Sequence, residues 1–282
     1  MMLLFGIGEA RRAGLLGVAV TAVLGAGSLI ASAPADAIVG GVLEKDGDSP
    51  WQVSVQAKGW SGYTHACGGS IIDARTIVTA AHCVQGKTAA DLRVGYGSLK
   101  YSQTTPVAVS DVRVHENYEA RTSSDEAGTK DYSNDVAVLK LAQDIPVDSG
   151  DPNIGTVALA SSGNDPAKGT PVTVSGWGVT RSGGSIPADL YRVTVPIVDR
   201  PTCNTAYAQY GGVDDSMICA AEEEGGHDRC QSDDGGPAVT IDGGTATLVG
   251  IVSWGYGCAV KGYPGVYARI GNLRSWIDAH RS

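Results

Sequence analysis

The chain has 282 residues, including 39 glycines and six cysteines, and its formal net charge is −9 at pH 7. An acidic surface repels polyanions, so the charge argues against nucleic acid or an anionic membrane as the main partner. The length allows one large β-domain or two small domains with a substantial core.

The first 37 residues have the pattern of an export signal. Arg11 and Arg12 form a basic start, and an apolar stretch over residues 13–30 follows. Small-residue cleavage triplets come next; residues 33–35 and 35–37 both stay open as cleavage sites, and the second would free Ile38. We predict a signal peptide and short propeptide over residues 1–37 and a secreted, extracellular protein. A retained membrane anchor is the alternative.

Short β-branched runs recur between turn clusters over the rest of the chain, which has almost no helical periodicity. Strands at this spacing predict a sandwich or a barrel. The predicted strands are residues 52–56, 70–72, 76–79, 106–110, 136–141, 171–175, 190–195 and 247–253. Only residues 272–280 carry apolar side chains at helical spacing, so we predict a C-terminal helix there.

Six cysteines in an exported chain predict three disulfides, whose pairing the sequence alone leaves open. Metal binding is the competing explanation. It is disfavoured because the chain has no Cys-x-x-Cys motif and no two histidines spaced as ligands. We therefore predict no metal and no cofactor.

Four separated motifs follow one another in a fixed order. They are residues 38–41 (IVGG), 79–83 (TAAHC), 133–141 (SNDVAVLKL) and 228–237 (DRCQSDDGGP). In this order they resemble the chymotrypsin and trypsin family of serine endopeptidases, over essentially all of residues 38–282. Further matches to the family pattern are residues 175–178 (SGWG), 253–255 (SWG) and 264–267 (PGVY).

The resemblance implies an all-β fold of two antiparallel six-stranded β-barrels with a C-terminal helix, and an active cleft between the barrels. Residues 38–282 would form this trypsin-like serine protease domain. The implied disulfides are Cys67 with Cys83, Cys203 with Cys219, and Cys230 with Cys258. The first two would each close a loop of about 16 residues and contribute roughly 3 kcal/mol by restricting the unfolded chain.

Two of the three parts of a catalytic triad are present. By resemblance, His82 is the general base, Asp135 orients it, and Ser253 hydrogen-bonds to the Asp135 carboxylate. Histidine suits the first role because its ordinary pKa, about 6.5, lies close to neutrality. A buried aspartate fixes the tautomer of the ring and stabilises the imidazolium.

The position of the nucleophile holds Asp234 instead of serine. The family pattern reads Gly-Asp-Ser-Gly-Gly-Pro, whereas residues 232–237 read Ser-Asp-Asp-Gly-Gly-Pro. A carboxylate that attacks an amide would form a mixed anhydride and expel an amine, which is uphill without special activation. The charge of Asp234 would instead favour the imidazolium form of His82, which is no base.

The oxyanion hole also departs from the family pattern. By resemblance it is formed by the backbone N–H groups of residues 232 and 234. Ser232 stands where the family has glycine, and its Cβ disfavours unusual backbone angles and crowds the incoming carbonyl.

A third departure lies in the primary specificity pocket. By resemblance, Asp228 forms its base, which in trypsin-like members selects Lys or Arg, and Ser253, Gly255 and Gly265 line it. Arg229 follows, at a position where the family normally has a small residue. We predict that its guanidinium neutralises Asp228 and fills the pocket as a built-in substrate mimic. The alternative is a side chain that reaches past the rim into water.

Two further features bear on maturation and recognition. By resemblance, cleavage before Ile38 would free an amino group that pairs with Asp233 and orders the pocket loops. Residues 119–133 (EARTSSDEAGTKDYS) form an acidic loop longer than the family's usual connection. We expect it to overhang the cleft, either as a recognition element or as a solvated loop without a role.

These residues favour a secreted non-proteolytic homologue, a pseudoenzyme that binds a protein or peptide such as a protease inhibitor or a matrix protein. We expect a monomer with no nucleic acid or membrane partner. The alternative is a trypsin-like serine endopeptidase that cleaves after Lys or Arg, including a single Ser→Asp change in an active relative. A third hypothesis makes His82, Asp135 and Asp234 metal ligands, although Asp135 should be committed to His82.

Overall fold

The computed structural model describes residue 38 and residues 40–118, 132–179, 184–226 and 228–282. The predicted signal peptide, and residues 119–131 of the predicted acidic loop, lie outside the described residues. Within the described part of the chain, no helix has both the length and the apolar character needed to span a bilayer.

The first barrel is built from strands in the first half of the domain. After a short strand, β1 (Val42–Leu43), six antiparallel strands pair in a closed ring. They are β2 Gln52–Gly59, β3 Gly62–Asp73, β4 Thr76–Thr79, β5 Leu92–Tyr96, β6 Thr105–Val114 and β7 Ala137–Leu141. The order around the ring is β2-β3-β4-β7-β6-β5, and β5 pairs with β2 to close it.

The second barrel follows after β8 (Ala158–Leu159), a short strand that pairs in parallel with β13 of this barrel. Its strands are β9 Pro171–Gly176, β10 Tyr191–Val198, β11 Met217–Ala220, β12 Pro237–Asp242, β13 Thr245–Trp254 and β14 Gly265–Arg269. They pair in the order β9-β10-β11-β14-β13-β12, and β12 pairs with β9 to close the ring. The predicted fold of two antiparallel six-stranded barrels is confirmed, and each of the eight strands predicted from periodicity overlaps an observed one.

Three α-helices, besides three single-turn 3-10 helices, complete the described fold: α1 Ala81–Val84, α2 Arg200–Ala206 and α3 Ile270–His280. Helix α3 confirms the predicted C-terminal helix and starts two residues before the predicted boundary. Asp199 caps the start of helix α2: its carboxylate accepts a hydrogen bond from the Thr202 N–H at 2.9 Å and so satisfies one free donor of the first turn.

The core explains why these segments form strands. In β10, Val193, Val195 and Ile197 are buried while Thr194 between them is exposed. This period of two is what a strand with one buried face requires. Side chains from both barrels belong to one apolar cluster, and each large aliphatic side chain buried there contributes about 1.5–3 kcal/mol.

The three disulfides join Cys67 to Cys83, Cys203 to Cys219, and Cys230 to Cys258, as the resemblance implied. The first connects β3 to the short helix α1, and the second connects α2 to β11. The third connects two loops of the second barrel. The first therefore restrains the helix that carries His82, and the third restrains the loop that carries Asp228 and Asp234.

An ion pair between buried Glu44 and half-buried Arg192 connects the start of the domain to the second barrel. Glu44, just after β1, has a side chain that is fully buried. Its carboxylate accepts a hydrogen bond from Ser49 Oγ at 2.6 Å and lies 3.3 Å from Arg192 Nη1. Burial raises the pKa of Glu44 to about 7 against the opposing effects of Ser49 and Arg192.

This pKa shift predicts the pH dependence of a Glu44→Gln variant. Because the folded chain holds the Glu44 proton more tightly than the unfolded chain, the carboxylate destabilises the fold as the pH rises from about 4.5 to 7. The unfolding free energy of the variant minus that of the parent should therefore increase by about 1–3 kcal/mol from pH 5 to pH 8. Denaturant unfolding measures this, with the exposed Glu223→Gln as control; an equal difference from the parent at both pH values would contradict it.

Candidate active site

His82 and Asp135 meet where two neighbouring strands of the first barrel end. Helix α1 follows β4 and carries His82, while Asp135 lies two residues before β7, which pairs with β4. The distance from His82 Nδ1 to Asp135 Oδ2 is 2.7 Å, and the His82 backbone N–H donates to Asp135 Oδ1 at 2.9 Å. Asp135 is fully buried, and the His82 side chain is 22% exposed. Because Nδ1 is engaged, Nε2 is the ring nitrogen left for proton transfer.

Ser253, the second-to-last residue of strand β13, supplies a third contact to the same carboxylate. Its Oγ donates to Asp135 Oδ2 at 2.5 Å. This is the contact implied by the resemblance, and it joins the second barrel to the first through a buried aspartate.

Asp234 lies in the loop that leads into β12, and both barrels hold its backbone. Its carbonyl accepts a hydrogen bond from the Gly68 N–H in β3 at 2.8 Å, and the next N–H, of Gly235, donates to the Val252 carbonyl at 2.8 Å. A Cβ added at Gly68 would lie 2.7 Å from Gly236 Cα, so the loop packs directly on the β3 backbone. The half-buried Asp234 is therefore fixed in place rather than carried on a free loop.

The charges in the cleft favour the imidazolium form of His82. Burial lowers the pKa of His82, but the hydrogen bond and charge of Asp135, together with the charge of Asp234, outweigh burial and raise it overall. The pKa of Asp234 is also raised, because burial outweighs the attraction of His82 and Arg229. Among the described contacts, no hydrogen bond joins the Asp234 carboxylate to His82, so this attraction acts through space.

Ser232 adopts a backbone conformation that favours glycine. Its φ is 74°, in the left-handed region. A residue with a Cβ pays roughly 1–2 kcal/mol there, because Cβ approaches the following carbonyl oxygen. The strain predicted from the Gly-to-Ser departure is therefore present at the residue whose N–H would face a substrate oxyanion.

His65 supports this strained peptide, and the sequence analysis missed it. Its Nε2 lies 3.3 Å from the Ser232 carbonyl oxygen and its Nδ1 lies 2.8 Å from Ser54 Oγ. Burial lowers the pKa of His65 to about 4 despite the hydrogen bond to Ser232, so the ring is neutral at pH 7. A neutral ring fits both contacts when Nε2–H donates to Ser232 and Nδ1 accepts from Ser54. The only signal in the sequence was a histidine two residues before Cys67.

Replacing Ser232 by glycine should stabilise the fold. Glycine removes the Cβ that strains the left-handed conformation, and its greater freedom in the unfolded chain offsets part of this gain, so we expect a net gain of about 0.5–1 kcal/mol. Denaturant unfolding with intact disulfides measures the change. Ser61→Gly, at a position outside the left-handed region, serves as the control and should lose stability; a Ser232→Gly variant that also loses stability would contradict the strain.

The base of the predicted specificity pocket is a buried carboxylate. Asp228 is 3% exposed. Its Oδ1 accepts hydrogen bonds from the Arg229 backbone N–H at 2.7 Å and from the Tyr267 hydroxyl at 3.4 Å. Burial raises the pKa of Asp228 to about 6, against the charge of Arg229. A Cβ added at Gly265 would lie 2.7 Å from Oδ1, so only glycine fits beside this carboxylate.

The Arg229 side chain lies inside this pocket rather than past its rim. It is 5% exposed, and a Cβ added at Gly255 would lie 1.9 Å from Arg229 Nη2. Burial lowers the pKa of Arg229, but the charges of Asp228 and Asp234 outweigh burial and raise it overall. Among the described contacts the guanidinium forms no ion pair with Asp228, so the expected neutralisation acts through charge at a distance and not through a salt bridge.

An Arg229→Ser variant should therefore gain affinity for benzamidine, a small cation. Removing the guanidinium vacates the space beside Gly255 and leaves Asp228 as an uncompensated acceptor, so we expect at least about tenfold tighter binding. Titration calorimetry at pH 7.5 measures it, with the exposed Arg75→Ser as control. Unchanged benzamidine affinity in a folded Arg229→Ser variant would contradict the occupied pocket.

Asp233 and Ile38, the predicted activation pair, are both fully buried. The Asp233 carboxylate accepts hydrogen bonds from the backbone N–H groups of Gly178 and Cys230, each at 2.8 Å. Burial raises the pKa of Asp233 to about 7 despite these two bonds. In the uncleaved chain Ile38 has no free amino group, so the ion pair stays a prediction for a chain cut before Ile38.

Tyr132, close to the end of the predicted acidic loop, reaches the cleft. Its ring lies edge-on to His82 at 5.9 Å and stacks on Trp254 at 6.2 Å. This contact was not predicted from the sequence. It brings the C-terminal end of the loop against the triad histidine and the end of β13.

The structure does not bring the three residues of the metal hypothesis into a compact cluster. Among the described residues, the one group whose ligand atoms lie within 4.8 Å of each other is Cys67, His82 and Cys83. Cys67 and Cys83 are joined in a disulfide, and a disulfide offers no thiolate to a metal ion.

The chain has two antiparallel barrels and, where they meet, a network of His82, Asp135 and Ser253 beside an acidic pocket. This architecture is that of the serine endopeptidase class of domains. The family model named Trypsin matches residues 38–277, and the chain belongs to the trypsin family. Similar proteins include Trypsin Blo t 3 of Blomia tropicalis, 43% identical over 244 residues, which are 85% of this chain and 84% of that protein. Trypsin alpha-4 of Lucilia cuprina is 44% identical over 85% of this chain and 86% of its own length, and Trypsin beta of Drosophila erecta is 44% identical over 85% and 87%.

Proposed function

We propose that this chain is a secreted, non-proteolytic member of the trypsin family that binds a protein or peptide in the cleft between its barrels. The carrying observation is the aspartate at residue 234, where the sequence motif of the family has serine. The peptide that follows it is hydrogen-bonded to both barrels, through Gly68 and Val252, so the side chain is carried on a fixed backbone. Loss of the nucleophile from a comparable triad lowers kcat by about 10⁶-fold.

The electrostatics of the cleft support this proposal. General-base catalysis needs a neutral imidazole that can accept a proton. Asp135 and Asp234 both raise the pKa of His82 against burial, which favours the protonated ring. A hydroxyl in place of the Asp234 carboxylate would remove one of these two charges.

The other two departures act on different parts of catalysis. A substrate oxyanion would need the N–H of Ser232, whose strained peptide carries a Cβ, and loss of one such donor costs about 10²–10³ in kcat. A Lys or Arg side chain would need the space beside Gly255 that Arg229 occupies. These departures argue against a single accidental substitution, because each affects a different step.

The second candidate is a trypsin-like serine endopeptidase that cleaves after Lys or Arg. The comparisons favour it over a binding role, since the similar proteins are named trypsins. The contacts of His82, Asp135 and Ser253 are also those that a working triad needs. We place it second because neither observation supplies a nucleophile.

The partner and the location are part of the proposal. The signal-like residues 1–37 and three disulfides support export. A monomer that binds a protease inhibitor or a matrix protein through the inherited cleft is the form we propose. The net charge of −9 disfavours nucleic acid and anionic membranes.

Turnover of an arginyl amide substrate decides between the two functions. We expect no turnover by the natural chain, cut before Ile38, above that of a His82→Ala variant. Asp234→Ser should restore little activity, because Arg229 and Ser232 still obstruct binding and the oxyanion hole. The triple variant Arg229→Ser, Ser232→Gly, Asp234→Ser should raise kcat/KM by at least about 10³-fold over the natural chain.

The controls separate the outcomes. Adding His82→Ala to the triple variant should abolish its turnover, which shows that the recovered activity uses the triad. Turnover by the natural chain at the rate of an ordinary protease, lost on His82→Ala, would overturn the proposal and establish the second candidate.

A further inference from the structure

We propose that the Arg229 guanidinium makes the primary pocket a receptor for a carboxylate, supplied by an acidic side chain or by the free C-terminus of a bound peptide. The inference rests on the proposed binding function and names its ligand class. The guanidinium would reverse the preference for cations that Asp228 alone would give to the pocket.

The first observation is a buried cation whose donors have no acceptor. Arg229 is 5% exposed, and its Nε is buried without a hydrogen-bond partner. Among the contacts of the described residues, the one hydrogen bond made by Arg229 as donor comes from its backbone N–H. A buried donor without an acceptor costs about 1–3 kcal/mol, and more when it is charged. A ligand that supplies the acceptor recovers this cost on binding.

The second observation is where these donors lie. Nη2 packs against Gly255, two residues after Ser253, whose hydroxyl contacts Asp135. The charge of Arg229 acts on His82 and Asp234 as well as on Asp228, so the guanidinium lies near both the base of the pocket and the triad histidine. The nearby Tyr207 hydroxyl already donates to the Pro264 carbonyl at 2.6 Å and is not free to donate to a ligand.

The chemistry of guanidinium selects the ligand. Its planar fork of N–H groups matches the two oxygens of a carboxylate, which it binds through two parallel hydrogen bonds. A Lys or Arg side chain would meet a like charge in the same place. A neutral amide offers one acceptor oxygen and no charge, and so should bind more weakly than a carboxylate of the same shape.

The acidic neighbours of Arg229 make this site sensitive to pH. The titratable groups around it are His82, Asp228, Asp233, Asp234, Tyr207 and Tyr267. Burial raises the pKa of Asp228 to about 6 and that of Asp233 to about 7, so these two carboxylates become neutral in mild acid, and burial also raises the pKa of Asp234. Arg229 stays charged there, and the raised pKa of His82 keeps that ring charged as well. A ligand carboxylate should therefore bind more tightly at pH 5.5 than at pH 8.

Matched peptides test the inference on the full domain. Two acetylated tetrapeptide amides differ only in a last residue of glutamate or glutamine, and a third peptide ends in alanine with a free carboxylate and is compared with its amide. Fluorescence anisotropy at pH 5.5 and pH 8 measures their affinities. We expect a carboxylate peptide to bind about ten- to hundredfold tighter than its neutral match at pH 5.5, with a smaller ratio at pH 8. Which of the two pairs shows the ratio identifies the source of the carboxylate.

Variants link the preference to Arg229. Arg229→Met should remove the ratio, Arg229→Lys should keep part of it, and the exposed Arg75→Met should leave it unchanged. Equal affinities for both members of each pair in the natural protein, or no binding of any peptide, would overturn the inference, and this comparison stands even where Arg229→Met fails to fold. Peptide cleavage is followed separately by mass spectrometry: cleavage would overturn the proposed function, whereas intact peptides bound without charge preference would overturn only the carboxylate site.

Discussion

The Asp135 carboxylate is the constraint on which the cleft depends. It is fully buried and accepts two hydrogen bonds from His82 and one from Ser253, so residues of both barrels converge on two oxygen atoms. A buried carboxylate is tolerated only when its lone pairs are satisfied in this way. The carboxylate therefore links β13 of the second barrel to the edge of the first barrel where β4 and β7 pair, whether or not the site performs catalysis.

A second set of buried carboxylates sets the character of this particular cleft. Asp228, Asp233 and Asp234 lie within seven residues of sequence, and burial raises the pKa of all three. The charge of Arg229 opposes the shift at all three aspartates, and the charge of His82 opposes it at Asp234. The extra negative charge of Asp234 and the extra positive charge of Arg229 therefore compensate each other in part. A change to one of them alone alters the charge balance felt by the other and by His82.

The sequence predicted the fold well where strands carry β-branched runs, as in β4 and β13, and where motifs fixed the order of His82, Asp135 and Asp234. Four barrel strands, β5, β11, β12 and β14, were not predicted from periodicity; in β5 the arginine and glycine interrupt the apolar run. His65 and Tyr132 were missed because each acts through a contact with a residue distant in the chain. Arg229 was placed correctly inside the pocket, but its lack of a hydrogen-bonded partner depends on exact side-chain geometry, which no sequence pattern encodes.

The strain at Ser232 and the unpartnered guanidinium of Arg229 have a common physical interpretation. Strained backbone and unsatisfied buried donors both destabilise a fold, and each persists only when surrounding contacts hold it in place. Here His65 hydrogen-bonds to the Ser232 carbonyl, and the guanidinium packs against Gly255. A cleft kept only for stability would gain from glycine at residue 232 and a small neutral residue at 229. Both features that cost stability lie within residues 229–232, between the buried carboxylates of Asp228 and Asp234, and such a concentration of strain is expected of a binding site rather than of an inert remnant.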